Sequence, residues 1–214
     1  MFTWSRETYI RAYRFAAEAH QGQIIPGTDR PYIVHATMVA MEIITVLSNE
    51  PGWNGNLAIQ CALLHDVLED THIHYEQVDA HFGRDVADGV QTLSQNPEIE
   101  SRSQRVIDSV RRIRTQPWEV WMVKLADRIV NLLPPPPQWT MEKILEYRQE
   151  AKFILRNLGK ANPFLSRRLS RRIANYPPGL LQKKTNKING SVDNFIKQNY
   201  LSIIILFDEE ASYG

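Results

Sequence analysis

Apolar residues recur at helical spacing through most of this chain, and that pattern limits the fold more than any other feature of the sequence. The first run, which includes Tyr9 and Tyr13, follows Ser5, a good N-cap residue, and ends at Gly22. No segment before the C-terminal tail alternates with period two, as a half-buried strand would. The sequence therefore predicts an all-α fold of about eight to ten helices. Later helices are predicted near residues 32–47, 57–68, 75–81, 84–93, 100–114, 119–133, 141–158 and 164–174.

Length and charge narrow the class of protein further. The chain has 214 residues, enough for one domain with a sizeable core, and a formal net charge of +1. The first residues lack the layout of a signal peptide, and the longest apolar stretch, 203–207, is too short to span a bilayer. The single cysteine, Cys61, lies in an apolar run and is predicted to be a buried, reduced thiol. We therefore expect a cytoplasmic protein that binds neither nucleic acid nor a membrane.

The composition changes near the C-terminus. After the sequence Tyr-Pro-Pro-Gly at 176–179, Lys, Asn, Ile and Ser become frequent, and 183–187 is typical of a solvated linker. We therefore predict one domain over residues 1–177 and an atypical tail over 178–214 that lies outside it.

The segment 63–71, Leu-Leu-His-Asp-Val-Leu-Glu-Asp-Thr, carries the strongest chemical signal. His65 and Asp66 offer one imidazole and one carboxylate to a single divalent ion, a mixed set that suits Mn²⁺ or Fe²⁺. On a continuous helix Glu69 and Asp70 would lie one turn further on, roughly 5 Å away, where they could orient or deprotonate a water molecule. The alternative is an acidic helix C-terminus with a solvated face.

Two distant residues extend this set. His35 falls in the first turn of an apolar helix, and Asp127 lies inside the apolar segment 123–132. Charged residues are rarely buried unless they are paired or bind a metal. The alternatives are a hydrogen-bonded core histidine and an internal ion pair of Asp127 with Lys124 or Arg128.

The motifs resemble the HD superfamily, and within it the hydrolase domain of RelA/SpoT-type enzymes and the small alarmone hydrolases. The resemblance implies an HD-domain helical bundle in which His35, His65, Asp66 and Asp127 ligate one Mn²⁺ or another divalent transition metal. It also implies that Glu69 and Asp70 handle the nucleophilic water. The matching segments, in chain order, are 20–23, 31–35, 65–71, 82–90 and 124–131.

Several residues are candidates for the nucleotide side of such a site. The resemblance places Asn131 in the nucleotide pocket and Trp139, Lys143 and Tyr147 on the substrate side. Lys143 and Tyr147 are four residues apart and so share a helix face. The alternative is that Trp139 and Tyr147 only close the core.

The sequence departs from the alarmone hydrolases in one loop. These enzymes usually carry an Arg-Lys pair after the Gly-Gln motif, whereas residues 23–31 here read Gln-Ile-Ile-Pro-Gly-Thr-Asp-Arg-Pro. A guanidinium binds phosphate through planar geometry that Ile and Pro cannot supply, so Arg30 is the candidate replacement. Arg102 and Arg105 are predicted to belong to a solvated basic face rather than to contact phosphates.

The implied activity is Mn²⁺-dependent hydrolysis of guanosine-3′,5′-bis(diphosphate), the alarmone ppGpp of the stringent response, to GDP and pyrophosphate. The pentaphosphate would give GTP. One alternative is an HD phosphohydrolase acting on another nucleotide such as NADPH, because the Arg-Lys pair is absent. A second is a catalytically silent nucleotide-binding HD module, although all the expected metal and water residues are present. A third is a helical scaffold without a site, which would leave the buried carboxylates unexplained.

Overall fold

A computed structural model describes residues 4–178. Within that range the chain forms ten α-helices, one of them a single turn, and no β-strand, which confirms the all-α prediction. None of these helices combines the length and the apolarity needed to cross a membrane. The helices are α1 (Arg6–Ala19), α2 (Ile33–Asn49), α3 (Gly55–Leu64), α4 (Val67–Asp70), α5 (Tyr75–Phe82), α6 (Arg84–Leu93), α7 (Arg102–Ile113), α8 (Trp118–Asn131), α9 (Met141–Leu158) and α10 (Pro163–Ala174).

Two helices form the centre of the molecule. All of α3 except Asn56 is buried, and it packs against α1, α2, α6 and α8. Helix α8 is buried over most of its length and also packs against α9 and α10. A helix that is apolar on all sides is stable only when other helices surround it. The run around Cys61, whose thiol is fully buried, therefore becomes the core.

Side chains fix the ends of several helices. Ser5 accepts a hydrogen bond from the Thr8 amide at 3.1 Å, as its predicted role as N-cap requires. Asn54 caps α3 and Asn162 caps α10 in the same way. These caps fix the starts of the first, central and last helices of the bundle.

The predicted helix over 57–68 is wrong in one respect, because it is broken between α3 and α4. The His65 ring donates from Nδ1 to the Ala62 carbonyl at 2.9 Å, and in a continuous helix that carbonyl would accept from the amide of Asp66. Asp66 leaves the helical region, with φ −107° and ψ 0°. The break turns the two adjacent side chains toward a common point.

The predicted tail falls on residues that the structure does not describe from 179 onward, including the apolar stretch 203–207. The proposed boundary near residue 177 therefore remains a prediction. Upstream of it, α10 ends at Ala174, and Tyr176 is buried against the bundle.

Candidate metal centre

Four side-chain atoms from three parts of the chain converge at one point. His35 Nε2 lies 3.1 Å from His65 Nε2 and 3.4 Å from Asp127 Oδ1. Asp66 Oδ2 lies 2.8 Å from His65 Nε2 and 3.7 Å from His35 Nε2. The first turn of α2, the α3–α4 break and the interior of α8 thus bring together the four predicted metal ligands.

The imidazole orientation fits a metal site. Since a carbonyl oxygen can only accept, the bond to Ala62 uses the Nδ1–H of His65, so Nε2 faces the cluster and can act as a ligand once it carries no proton. Ligand atoms of His35, His65 and Asp127, all buried, lie within 4.8 Å of one another. Two nitrogens and carboxylate oxygens at this spacing form the mixed donor set that divalent transition metals accept. The residues present therefore fit a bound divalent cation.

The electrostatics of the cluster also favour a cation. Burial opposes the charged form of His65, but Asp66 and Asp127 raise the pKa of its ring to about 9. Burial likewise opposes ionisation of Asp66, but His65 lowers the pKa of its carboxyl to about 2. The site therefore favours positive charge strongly enough to hold a proton on a buried imidazole, and a metal ion would displace that proton.

Each carboxylate in the cluster has a further partner. The Tyr32 hydroxyl donates to Asp66 Oδ2, and the Asn131 amide donates to Asp127 Oδ1. Lys124 Nζ lies 3.5 Å from Asp127 Oδ2, so the ion pair considered as an alternative exists beside the histidines. Partners of this kind orient ligands and limit their motion.

Sequence reasoning assigned no role to Tyr32. Its ring is buried and lies between His20 and His35, with centroids 4.6 Å and 5.4 Å away. Burial raises the pKa of its hydroxyl, which therefore keeps its proton and acts as a donor. The available signal was its place three residues before His35, directly after a proline.

Glu69 and Asp70 lie on the single turn α4, immediately after the cluster. The Asp70 amide bonds to the Asp66 carbonyl at 2.9 Å, which places Asp70 one turn beyond Asp66 as predicted. Glu69 Oε2 accepts from the Gln95 amide at 2.8 Å and is thereby held in place. Both side chains are open to solvent, yet partial desolvation raises the pKa of each carboxyl. Raised pKa values suit groups that take up a proton near neutral pH.

The candidate substrate residues lie in three places. Lys143 Nζ lies 4.5 Å from the centre of the Trp139 ring, which meets the Tyr147 ring edge-on at 5.2 Å. Asn131 joins the candidate metal centre through its hydrogen bond to Asp127. Arg30 is exposed in the loop between α1 and α2, and the described contacts connect its backbone only to Ile25 and Thr28.

Arg102 is exposed, as the predicted solvated basic face requires, but it is also paired with a buried carboxylate. Its guanidinium donates to both carboxylate oxygens of Glu150, at 2.6 Å and 3.1 Å. Glu150 is 1% exposed, and a buried carboxylate needs such a partner. Arg105 is half-buried, and no described residue bonds to its Nε.

Comparison with known proteins agrees with this site. The family model described as "HD domain" matches residues 12–158, and the chain belongs to that family. The guanosine-3′,5′-bis(diphosphate) 3′-pyrophosphohydrolase MESH1 of Xenopus tropicalis is 30% identical over 165 residues, 75% of this chain and 89% of the relative. The mouse protein of the same name is also 30% identical, with 75% and 89% covered.

A solved structure has the same fold. It is that of a metazoan ortholog of SpoT, described as hydrolysing ppGpp and playing a role in starvation responses. The match has a TM-score of 0.70 and 26% identity and covers 80% of this chain and 96% of that one. The comparison therefore extends over nearly the whole described domain.

Proposed function

We propose that this chain is a divalent-metal-dependent hydrolase that removes pyrophosphate from the 3′ position of guanosine-3′,5′-bis(diphosphate). Water adds to the phosphorus, the ribose 3′ oxygen leaves with a proton, and the products are GDP and pyrophosphate. The observation that carries the proposal is the convergence of two histidines and two aspartates beside a carboxylate pair. The similarity to pyrophosphohydrolases over most of both chains supports the choice of substrate.

In this proposal His35, His65, Asp66 and Asp127 hold the cation, and Tyr32 and Asn131 fix the two carboxylates. A bound divalent metal supplies Lewis-acid polarisation of a phosphate oxygen and lowers the pKa of water. Mn²⁺ is our choice because the donor set mixes imidazole nitrogen with carboxylate oxygen and contains no thiolate.

Glu69 and Asp70 orient the attacking water and take up its proton. Their carboxylates stand outside the cluster, are accessible to solvent and have raised pKa values. The backbone amide of Gln95, just after α6, donates to Glu69 Oε2 and limits the motion of that side chain. Trp139, Lys143 and Tyr147 form the nucleotide wall, and Arg30, in the exposed loop between α1 and α2, is the candidate replacement for the absent basic pair. A cytoplasmic location and a role in the stringent response belong to the same proposal.

A second candidate substrate follows from the loop at 23–31, which lacks a basic pair and is rich in Ile and Pro. A pocket with weaker phosphate contacts there favours another phosphorylated nucleotide, such as NADPH. In that case orthophosphate would be released in place of pyrophosphate.

The test is a substrate panel with the Mn²⁺-loaded protein. Guanosine tetraphosphate, guanosine pentaphosphate, NADPH and simple nucleotides are compared, and pyrophosphate and orthophosphate are measured separately. We expect the fastest reaction to be pyrophosphate release from the two alarmones. Faster orthophosphate release from NADPH would favour the second candidate, and no turnover on any compound would favour a silent binding module.

A further inference from the structure

A buried carboxylate joins three helices beside the proposed nucleotide wall. Glu150 of α9 bonds to Arg102 at the start of α7 through both oxygens. Its Oε2 also accepts from Nη1 of Arg128 in α8, at 3.4 Å. Two guanidinium groups therefore share one carboxylate, and the direct contacts leave one positive charge without a counter-charge.

The two arginines lie against the same aromatic ring. The guanidinium carbon of Arg128 is 4.4 Å from the centre of the Tyr147 ring, and that of Arg102 is 5.6 Å from it. Stacking on an aromatic face holds a guanidinium in a defined plane. Arg128 is 5% exposed, and its Nε has no hydrogen-bond partner among residues 4–178. The cluster thus has a hydrogen-bond donor without an acceptor, in addition to its excess positive charge.

Arg102 presents part of this charge to solvent. Its side chain is 47% exposed, whereas that of Glu150 is 1% exposed. One side of the guanidinium is fixed by the carboxylate and the ring, so part of its conformational entropy is already lost. A fixed arginine binds an anion with a smaller ordering cost than a mobile one.

The cluster is connected to the candidate active site. Tyr147 also contacts Trp139, on which Lys143 lies. Arg128 is the residue after the metal ligand Asp127, and the two interact electrostatically. The positive charge therefore stands on the wall that the substrate is proposed to occupy.

We propose that Arg102 is a phosphate-binding residue of the substrate cleft, and that Glu150 is the positioning residue that fixes it there. This inference rests on the proposed nucleotide substrate, and it adds one anion-binding subsite to the nucleotide wall. Glu150 touches no substrate and acts only through the arginines.

The first experiment compares Arg102→Gln with Arg114→Gln, which removes the same charge from the exposed C-terminal end of α7. Loss of a charged hydrogen bond predicts a KM for guanosine tetraphosphate about tenfold higher or more in Arg102→Gln, with kcat within about threefold of wild type. Arg114→Gln should keep the wild-type KM. An unchanged KM in Arg102→Gln would overturn the proposal.

The second experiment tests whether Glu150 acts through Arg102. Glu150→Gln keeps the side-chain volume and should raise KM by about threefold or more. The double variant Arg102→Gln/Glu150→Gln should have no higher KM than Arg102→Gln alone, because the two residues form one unit. Multiplied effects would contradict the positioning role. If Glu150→Gln does not fold, the Arg102→Gln comparison still decides the phosphate-binding part.

A binding measurement separates this inference from the choice of substrate. Inorganic pyrophosphate is titrated calorimetrically into the Mn²⁺-loaded wild type and Arg102→Gln. We expect binding at least about tenfold weaker in the variant, whatever nucleotide the enzyme hydrolyses. Equal affinities would overturn the anion subsite, whereas a wild type that binds pyrophosphate but releases none from guanosine tetraphosphate would contradict only the proposed function.

Discussion

Removal of the Tyr32 hydroxyl should weaken metal binding without disturbing the fold. The hydroxyl donates to Asp66 Oδ2, and the ring is 9% exposed between two histidines. Tyr32→Phe keeps the ring and leaves no large cavity, so the lost hydrogen bond dominates. A bond to a charged group contributes about 1.5–3 kcal/mol. That range corresponds to roughly 10- to 100-fold in metal affinity, the effect expected when a partner of a metal ligand is removed.

The assay is competition for Mn²⁺ with a chelator of known affinity, and the chain offers a matched control. The Tyr75 hydroxyl donates to Asp88 Oδ1 at 2.6 Å in a tyrosine–aspartate pair formed by α5 and α6, outside the cluster. Tyr75→Phe should therefore leave metal affinity unchanged. Equal affinities in Tyr32→Phe and the wild type would refute the role of the hydroxyl in holding Asp66.

Three further predictions concern the carboxylate pair, the core and the tail. Glu69→Gln or Asp70→Asn should keep the metal and the fold but lower the hydrolysis rate by about 10²-fold or more, as measured by metal analysis and turnover. A near-wild-type rate in both variants would show that the two carboxylates do not handle the water. Gly89→Ala should lower the melting temperature, because an added Cβ would lie 2.8 Å from Cys61 Sγ, and overpacking costs about 1–3 kcal/mol. A chain ending at Pro178 should keep turnover and most of its thermal stability, and an insoluble or inactive product would place the domain boundary further on.

The sequence predicted the helices well where burial decides them. The apolar residues of α3 and α8 specify helices that other helices enclose, and Gly83, with φ +86°, separates α5 from α6 as expected. The break at His65 was not predictable from composition. It depends on the His65 ring, which donates to the Ala62 carbonyl in place of the Asp66 amide. The residue pattern does not show which of these two donors the carbonyl accepts.

The candidate site was likewise predictable from the sequence only in part. Histidines and aspartates in apolar surroundings pointed to the four proposed ligands, because burial of such groups needs an explanation. Glu150 gave no such signal, since a glutamate on an amphipathic helix is ordinarily solvated. Its burial depends on Arg102, which is 48 residues earlier in the chain, and only the packing of α7 on α9 brings them together.

The Asp127→Ala protein tests most directly whether this cluster holds a catalytic metal. Metal content and pyrophosphate release from guanosine tetraphosphate are measured on the same preparations of wild type and variant, with circular dichroism to verify the fold. We expect about one divalent transition metal per wild-type chain, and loss of both metal and turnover in the folded variant. Wild-type metal content in Asp127→Ala would contradict the proposed ligand set.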